Sequence, residues 1–170
     1  MTLARWLGQG IKRVGFGSTV EDRLRELGYP LPKPPVPKGA YVPTVEVDGF
    51  VYTAGSICIE NGVVKYRGKL GSDLTVAQGR EAARCTILNL LSVLKQQIGD
   101  LNRIARVVKV LGFVASAPGF NNQPEVLNGA SELLIQVFGE RGEHARSAVG
   151  VNELPMNACV EIEMIVRVKD

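Results

Sequence analysis

The sequence predicts an α+β domain in which two helices cover one face of a single mixed sheet. Three observations carry that expectation. Short β-branched runs are separated by Asp48-Gly49 and Asn61-Gly62, pairs that suit the tight turns of antiparallel hairpins. Two long amphipathic stretches open on a cap or a first-turn proline and stop at a glycine. One run, residues 103–116, is apolar on both alternating faces and so must be covered on both.

Residues 1–17 contain Arg5, Lys12 and Arg13 and no acid, with Leu3, Trp6, Leu7, Ile11 and Val14 at roughly helical spacing. This is a basic N-terminal extension, either disordered or an organelle transit peptide, and Gly8 and Gly10 weaken any helix there. Ser18-Thr19-Val20-Glu21 has capping-box spacing, and Val20, Leu24 and Leu27 share a face up to Gly28, which predicts a helix over 19–27. Pro30, Pro32, Pro34, Pro35 and Pro37 then force an extended linker, read here as a spacer. The chain divides into the extension (1–17), the leading helix and linker (18–38) and the α+β domain (39–170), whose core is expected to start at about residue 39.

Within the domain, Val45 and Val47 alternate with Glu46 and Asp48, and residues 50–54 read as the returning strand of a hairpin. Asn61-Gly62 closes a further hairpin onto a third strand over 63–67. Thr75 and Gln78 form a capping box, opening a helix with Ile87, Leu90, Leu91, Leu94 and Ile98 on its apolar stripe and Gly99 as its stop. In the strand 103–116, alternation places Ile104, Val108, Val110 and Val114 on one face and Val107, Leu111 and Phe113 on the other. Pro124 suits the first turn of a helix running to Phe138, before Gly139. Strands near 146–152 and 158–168 complete the order β-β-β-α-β-α-β-β. Two helices cover one face only. The other carries Leu111 and Phe113 beside Glu161 and Glu163, a mixture that predicts subunit contacts around a polar cleft.

Composition narrows the function. The net charge of +3 resides in the first 20 residues, because the remainder holds 17 basic and 17 acidic side chains. A neutral domain with one histidine and few aromatics argues against nucleic-acid binding. No run approaches the ~18 apolar residues of a membrane span, so a cytoplasmic protein is expected, or an organellar one if residues 1–17 are a transit peptide. Cys58, Cys85 and Cys159 are odd in number and far apart, and read as buried small hydrophobes rather than a disulfide frame. With His144 alone and no CxxC or HxxxH spacing, no metal site is expected; GxSxG, Walker and GxGxxG patterns are likewise missing, and no cofactor is implied.

Two groups remain as candidates for chemistry. Arg146 is either a surface ion-pair residue or a fork of donors for a substrate carboxylate. Glu161 and Glu163 share a strand face, either solvated or paired at an interface, or supplying one carboxylate that activates a water. The string from Arg146 to Glu163, ARSAV…ELP…VEIE, resembles the C-terminal signature of the Rid family, the YjgF-type reactive-intermediate deaminases also labelled endoribonuclease L-PSP or translation inhibitor. Residues 39–42 (GAYV), 53–56 (TAGS) and 128–130 (NGA) extend the resemblance over about 39–170. Residues 74–95 and 108–120 are similar to a branch with a leading helix and a proline-rich linker.

The resemblance implies a chorismate-mutase-like fold and a homotrimer with a cleft at each interface. It implies hydrolytic, metal-free deamination of 2-imino or enamino acids to 2-keto acids and ammonia. Arg146 would hold the small-molecule carboxylate and Glu161 would position the attacking water. Tyr41, Gly55, Ser56, Asn128 and Ala148 would line the cleft. Ala148 stands where many deaminating members have cysteine, and residues 56–60 read SICIE rather than a glutamine- and proline-containing loop. These departures support a second reading, a non-catalytic carboxylate-binding or stress-related trimer; an endoribonuclease ranks third.

Overall fold

The computed structural model describes residues 18–36 and 39–169; expectations for residues 1–17 lie outside the described residues. The first helix, α1 (Val20–Glu26), is capped one residue later than predicted. Thr19 accepts from the Asp22 amide at 3.1 Å while the Asp22 carboxylate accepts from the Thr19 amide at 3.0 Å. The same three-residue spacing serves both pairs, and moving the cap releases Glu21 to pair with Lys95 at 2.8 Å. Val20 and Leu24 are fully buried, and Arg23 donates to the Val137 carbonyl at 2.8 Å. The core therefore begins at Val20 and not near residue 39.

Eight strands follow the linker: β1 (Thr44–Val47), β2 (Phe50–Thr53), β3 (Ser56–Ile57), β4 (Ile59–Glu60), β5 (Val63–Val64), β6 (Ile104–Ala115), β7 (Ala145–Val151) and β8 (Val160–Val168). The main sheet runs β1-β2-β8-β6-β7, with β3 also on β8, and only β6–β7 is parallel. The expected single sheet is corrected here, because β4 and β5 form a separate two-stranded ribbon around Asn61-Gly62. That ribbon is anchored to a helix instead of the sheet. Asn89 donates to the carbonyls of Ile57 and Ile59, both at 3.0 Å, and Cys58 is disulfide-bonded to Cys85. The two cysteines are thus a covalent pair with Cα atoms 5.2 Å apart, contrary to the sequence reading; Cys159 alone is free and buried, its thiol pushed up to about 12 by burial.

Two long helices, α2 (Val76–Ile98) and α3 (Gln123–Phe138), cover one face of the main sheet. Their stripes of Ile87, Leu90, Leu94, Leu127 and Leu134 share one core with Val110, Val114, Ile162 and Val166 of the strands. The helices approach so closely that a Cβ on Gly129 would lie 2.2 Å from the Arg80 carbonyl oxygen. Thr75 and Gln78 make the predicted capping box, and α3 carries its proline in the first turn. With α1, the described residues contain the three α-helices expected, the leading one and two on the sheet.

Register irregularities in β6, between Ile104 and Arg106 and between Val107 and Lys109, reverse part of the expected alternation. Val107 pairs with Val166 and is fully buried beneath the helices, whereas Val108 is half-exposed. Beyond the bulge the alternation is regular. Leu111, Phe113, Glu161 and Glu163 lie half-buried on the open face, together with exposed Val45, Tyr52 and Val149.

Candidate active site

The candidate residues gather into two clusters. The first is built on β7 and α3. Arg146 opposes Val110 of β6, which places it on the helix-covered side of the sheet. Asn128 and Ser131, three residues apart on α3, face it together. Arg146 Nη1 donates to Asn128 Oδ1 and to Ser131 Oγ, both at 3.0 Å. Asn128 in turn donates to Glu125 at 2.9 Å, and Glu125 and Glu132 both pair with Arg80. Because Ser131 Oγ accepts from Arg146, its hydroxyl hydrogen is available to His144 Nε2 at 3.0 Å. His144 Nδ1 then donates to the Gly142 carbonyl at 2.6 Å.

That chain orients one edge of the guanidinium with neutral partners. Burial pulls the Arg146 pKa down, Glu125 opposing it only from a distance. Burial also lowers the His144 pKa, with Arg146 and Arg106 adding to the effect against the Gly142 hydrogen bond. His144 is therefore a neutral acceptor for Ser131. Nε and Nη2 of Arg146 carry no protein partner among the described residues, which leaves a planar pair of donors for an incoming carboxylate. Ala148 lies on the same strand face two residues on, packed against the core.

The second cluster surrounds Glu161. Between β2 and β3 the chain advances four residues, from Tyr52 to Ser56, against three on β8, from Ile165 to Ile162. Gly55 lies in this irregularity, where a Cβ would come 2.0 Å from Glu161 Oε1. A Cβ at residue 55 would displace the Glu161 carboxylate from this position. Beside it is a cavity of about 310 Å³, lined by Tyr41, Gly55, Ser56 and Glu161 together with apolar residues of the linker, α2 and the turn before β8. Burial raises the Glu161 pKa, and Glu163 adds like-charge repulsion. A carboxylate so placed is a better proton acceptor than an exposed one once it is ionised.

The two clusters do not meet within one chain. Glu161 opposes Phe113 of β6 and Arg146 opposes Val110, so the two side chains leave opposite faces of the sheet. They stand on strands either side of β6, three residues apart in register, which separates their Cα atoms by roughly 14 Å at ordinary strand spacing. Tyr41, Gly55 and Ser56 accompany Glu161; Asn128 and Ala148 accompany Arg146. Sequence reasoning missed the Ser131–His144 chain, although Asn128 and Ser131 at helical spacing were its visible signal. It also read the proline linker as a spacer, whereas Pro35 and Val36 form part of the cavity wall. Among the described residues no group of three or more His, Cys, Asp or Glu could hold a metal ion, and no helix is long and apolar enough to cross a membrane.

The main sheet backed by two helices, with the Arg146 guanidinium on the helix-covered side and the Glu161 carboxylate beside an apolar cavity, is the arrangement of an α+β protein. The family model described as "YjgF/chorismate_mutase-like, putative endoribonuclease" matches residues 21–167, and the chain belongs to that family. It is 40% identical over 152 residues to Protein TCP17 of Trypanosoma cruzi, covering 89% of this chain and 95% of that protein. It is 31% identical over 135 residues to a 2-iminobutanoate/2-iminopropanoate deaminase of Dermatophagoides farinae, covering 79% and 91%. The crystal structure of Atu1372 from Agrobacterium tumefaciens, a protein of unknown function, aligns with a TM-score of 0.84 at 43% identity, covering 88% of this chain and 92% of that one.

Proposed function

We propose that the protein hydrolyses reactive 2-imino acids, and their enamine tautomers, to 2-keto acids and ammonia, at a cleft assembled from two copies of the chain in a homotrimer. The observation that carries this reading is the pairing of unsatisfied charges: a half-buried guanidinium with two open donors, and a half-buried carboxylate beside a cavity. A protonated imino acid carries the complementary charges, a carboxylate next to an iminium carbon. These neighbouring atoms cannot reach both Arg146 and Glu161 of one chain. Arg146 of one copy and Glu161 of another can share them, and the partly apolar open sheet face is the surface on which copies would associate.

The chemistry needs little beyond placement. Arg146 fixes the carboxylate while Glu161 accepts a proton from water as the oxygen adds to the iminium carbon. The C–N bond of the resulting carbinolamine breaks with the nitrogen protonated, giving the keto acid and ammonium. The iminium is already electrophilic, so the enzyme contributes orientation and electrostatics. A trimer that binds small carboxylates without turnover is the second reading, favoured by Ala148 at a position where the family resemblance implies cysteine in many deaminating members.

The test is ammonia and keto-acid release from 2-iminobutanoate and 2-iminopropanoate generated in situ, with Arg146→Ala as control. Acceleration dependent on Arg146 supports the deaminase. Tight keto-acid binding without acceleration puts the binder in its place.

A further inference from the structure

The cavity beside Glu161 is larger and more apolar than a side chain of one or two carbons needs. Its floor is Leu90 and Val93 of α2 with Ile57 of β3, and its outer wall is Pro35, Val36 and Met156. Leu90 and Val93 are almost fully buried, so the floor is fixed by the core. Met156 is held there with a left-handed backbone (φ 58°), at the turn that leads into β8. Among the described residues no lysine, arginine or histidine lines the cavity, and Glu161 is the one charged group there.

A carboxylate is disfavoured in such a space, because it would meet the Glu161 anion with only the Tyr41 and Ser56 hydroxyls and no cationic side chain among the described lining residues. A substrate whose reacting carbon lies at Glu161 must therefore direct its carboxylate out of the cavity and its side chain in. We infer that this pocket selects 2-imino acids with a branched aliphatic side chain of about four carbons, with Pro35 and Val36 of the linker closing over it. The inference rests on the deaminase reading and adds the substrate's side-chain class to it. Each methylene transferred from water to such a pocket contributes about fourfold in affinity. The 2-imino acid derived from leucine is then expected to exceed 2-iminopropanoate at least about tenfold in kcat/KM.

The experiment uses the full chain and two imines made in situ by an amino-acid oxidase with catalase, one from leucine and one from alanine. In parallel, calorimetry compares binding of 4-methyl-2-oxopentanoate with that of 2-oxopropanoate. The variant Val93→Phe, checked for an unchanged circular-dichroism spectrum and oligomeric state, fills the floor and should lower the leucine-to-alanine ratio about tenfold. Ile57→Phe, built on a different element, gives a second route to the same change. Equal kcat/KM values, or a preference for the alanine-derived imine, overturn the inference and leave the deaminase reading standing. No turnover of either imine but tighter binding of the branched keto acid retains the pocket and removes the deaminase. Binding that fails to distinguish the two keto acids, without turnover, removes both.

Discussion

Arg146 and Glu161 are both charged groups pushed against their charge by burial, but the protein supports them differently. Arg146 is gripped by Asn128 and Ser131, themselves tied to Glu125 and His144. Glu161 lies over the bare backbone of Gly55 beside an apolar cavity, with Glu163 adding like-charge repulsion. The guanidinium is held in place and the carboxylate is left in an environment that raises its basicity. One cluster is suited to positioning and the other to proton transfer. Among the described residues neither forms an ion pair with its own chain, Glu125 acting on Arg146 through Asn128 and without a direct contact, as expected if substrate and a second copy supply the counter-charge.

Removing the gripped group should have the largest effect. Arg146→Ala is expected to lower kcat/KM on 2-imino acids about a thousandfold, since a desolvated charge-assisted bidentate contact is lost, with the oligomer unchanged by light scattering. Glu161→Gln should lower kcat at least about a hundredfold while KM changes little, the loss associated with a general base. If both variants instead raised KM alone, the division between positioning and proton transfer would collapse.

A third prediction concerns stability. The folded-state pKa of Glu161 is raised above its ordinary 4.5 by burial and by Glu163. The folded protein then holds this proton more tightly than the unfolded chain. The favourable contribution is fully present below about pH 4.5 and is lost as pH rises through the raised value. Glu161→Gln should consequently melt higher than the parent at pH 7, and the gain should vanish below pH 4.5. An equal gain at both pH values would remove burial of the charge as its cause. The smallest expected effect is that of Ser131→Ala, which removes one hydrogen bond from Arg146. KM should rise about fivefold, equivalent to about 1 kcal/mol, with kcat nearly constant.

Much of this architecture was legible in the sequence because local signals were unambiguous. Thr75 with Gln78, Pro124 and the glycines at 99 and 139 mark the ends of α2 and α3. The cap of α1 slipped by one residue because Ser18/Glu21 and Thr19/Asp22 offer the same spacing, and the register adopted leaves Glu21 paired with Lys95, far along the chain. Val107 and Val108 exchanged faces because a bulge inserts an unpaired residue that no run of β-branched side chains reveals. Cys58 and Cys85 were not recognisable as a pair, since their proximity is created by packing the ribbon against α2. The candidate residues were nameable from the sequence, but their arrangement was not. Arg146 and Glu161 follow from sequence resemblance, but their opposite faces depend on a three-residue offset measured across β6, a property of register rather than of either residue.

The central claim is that one working site takes Arg146 from one copy and Glu161 from another. The most direct test is to co-refold Arg146→Ala with Glu161→Gln, each inactive alone, and assay 2-imino-acid hydrolysis. Random assembly in a ring of copies leaves about a quarter of the interfaces with both native side chains, so about a quarter of the parent activity should return. Mixed oligomers that form and stay inactive would contradict a shared site and confine the reaction, if any, to a single chain.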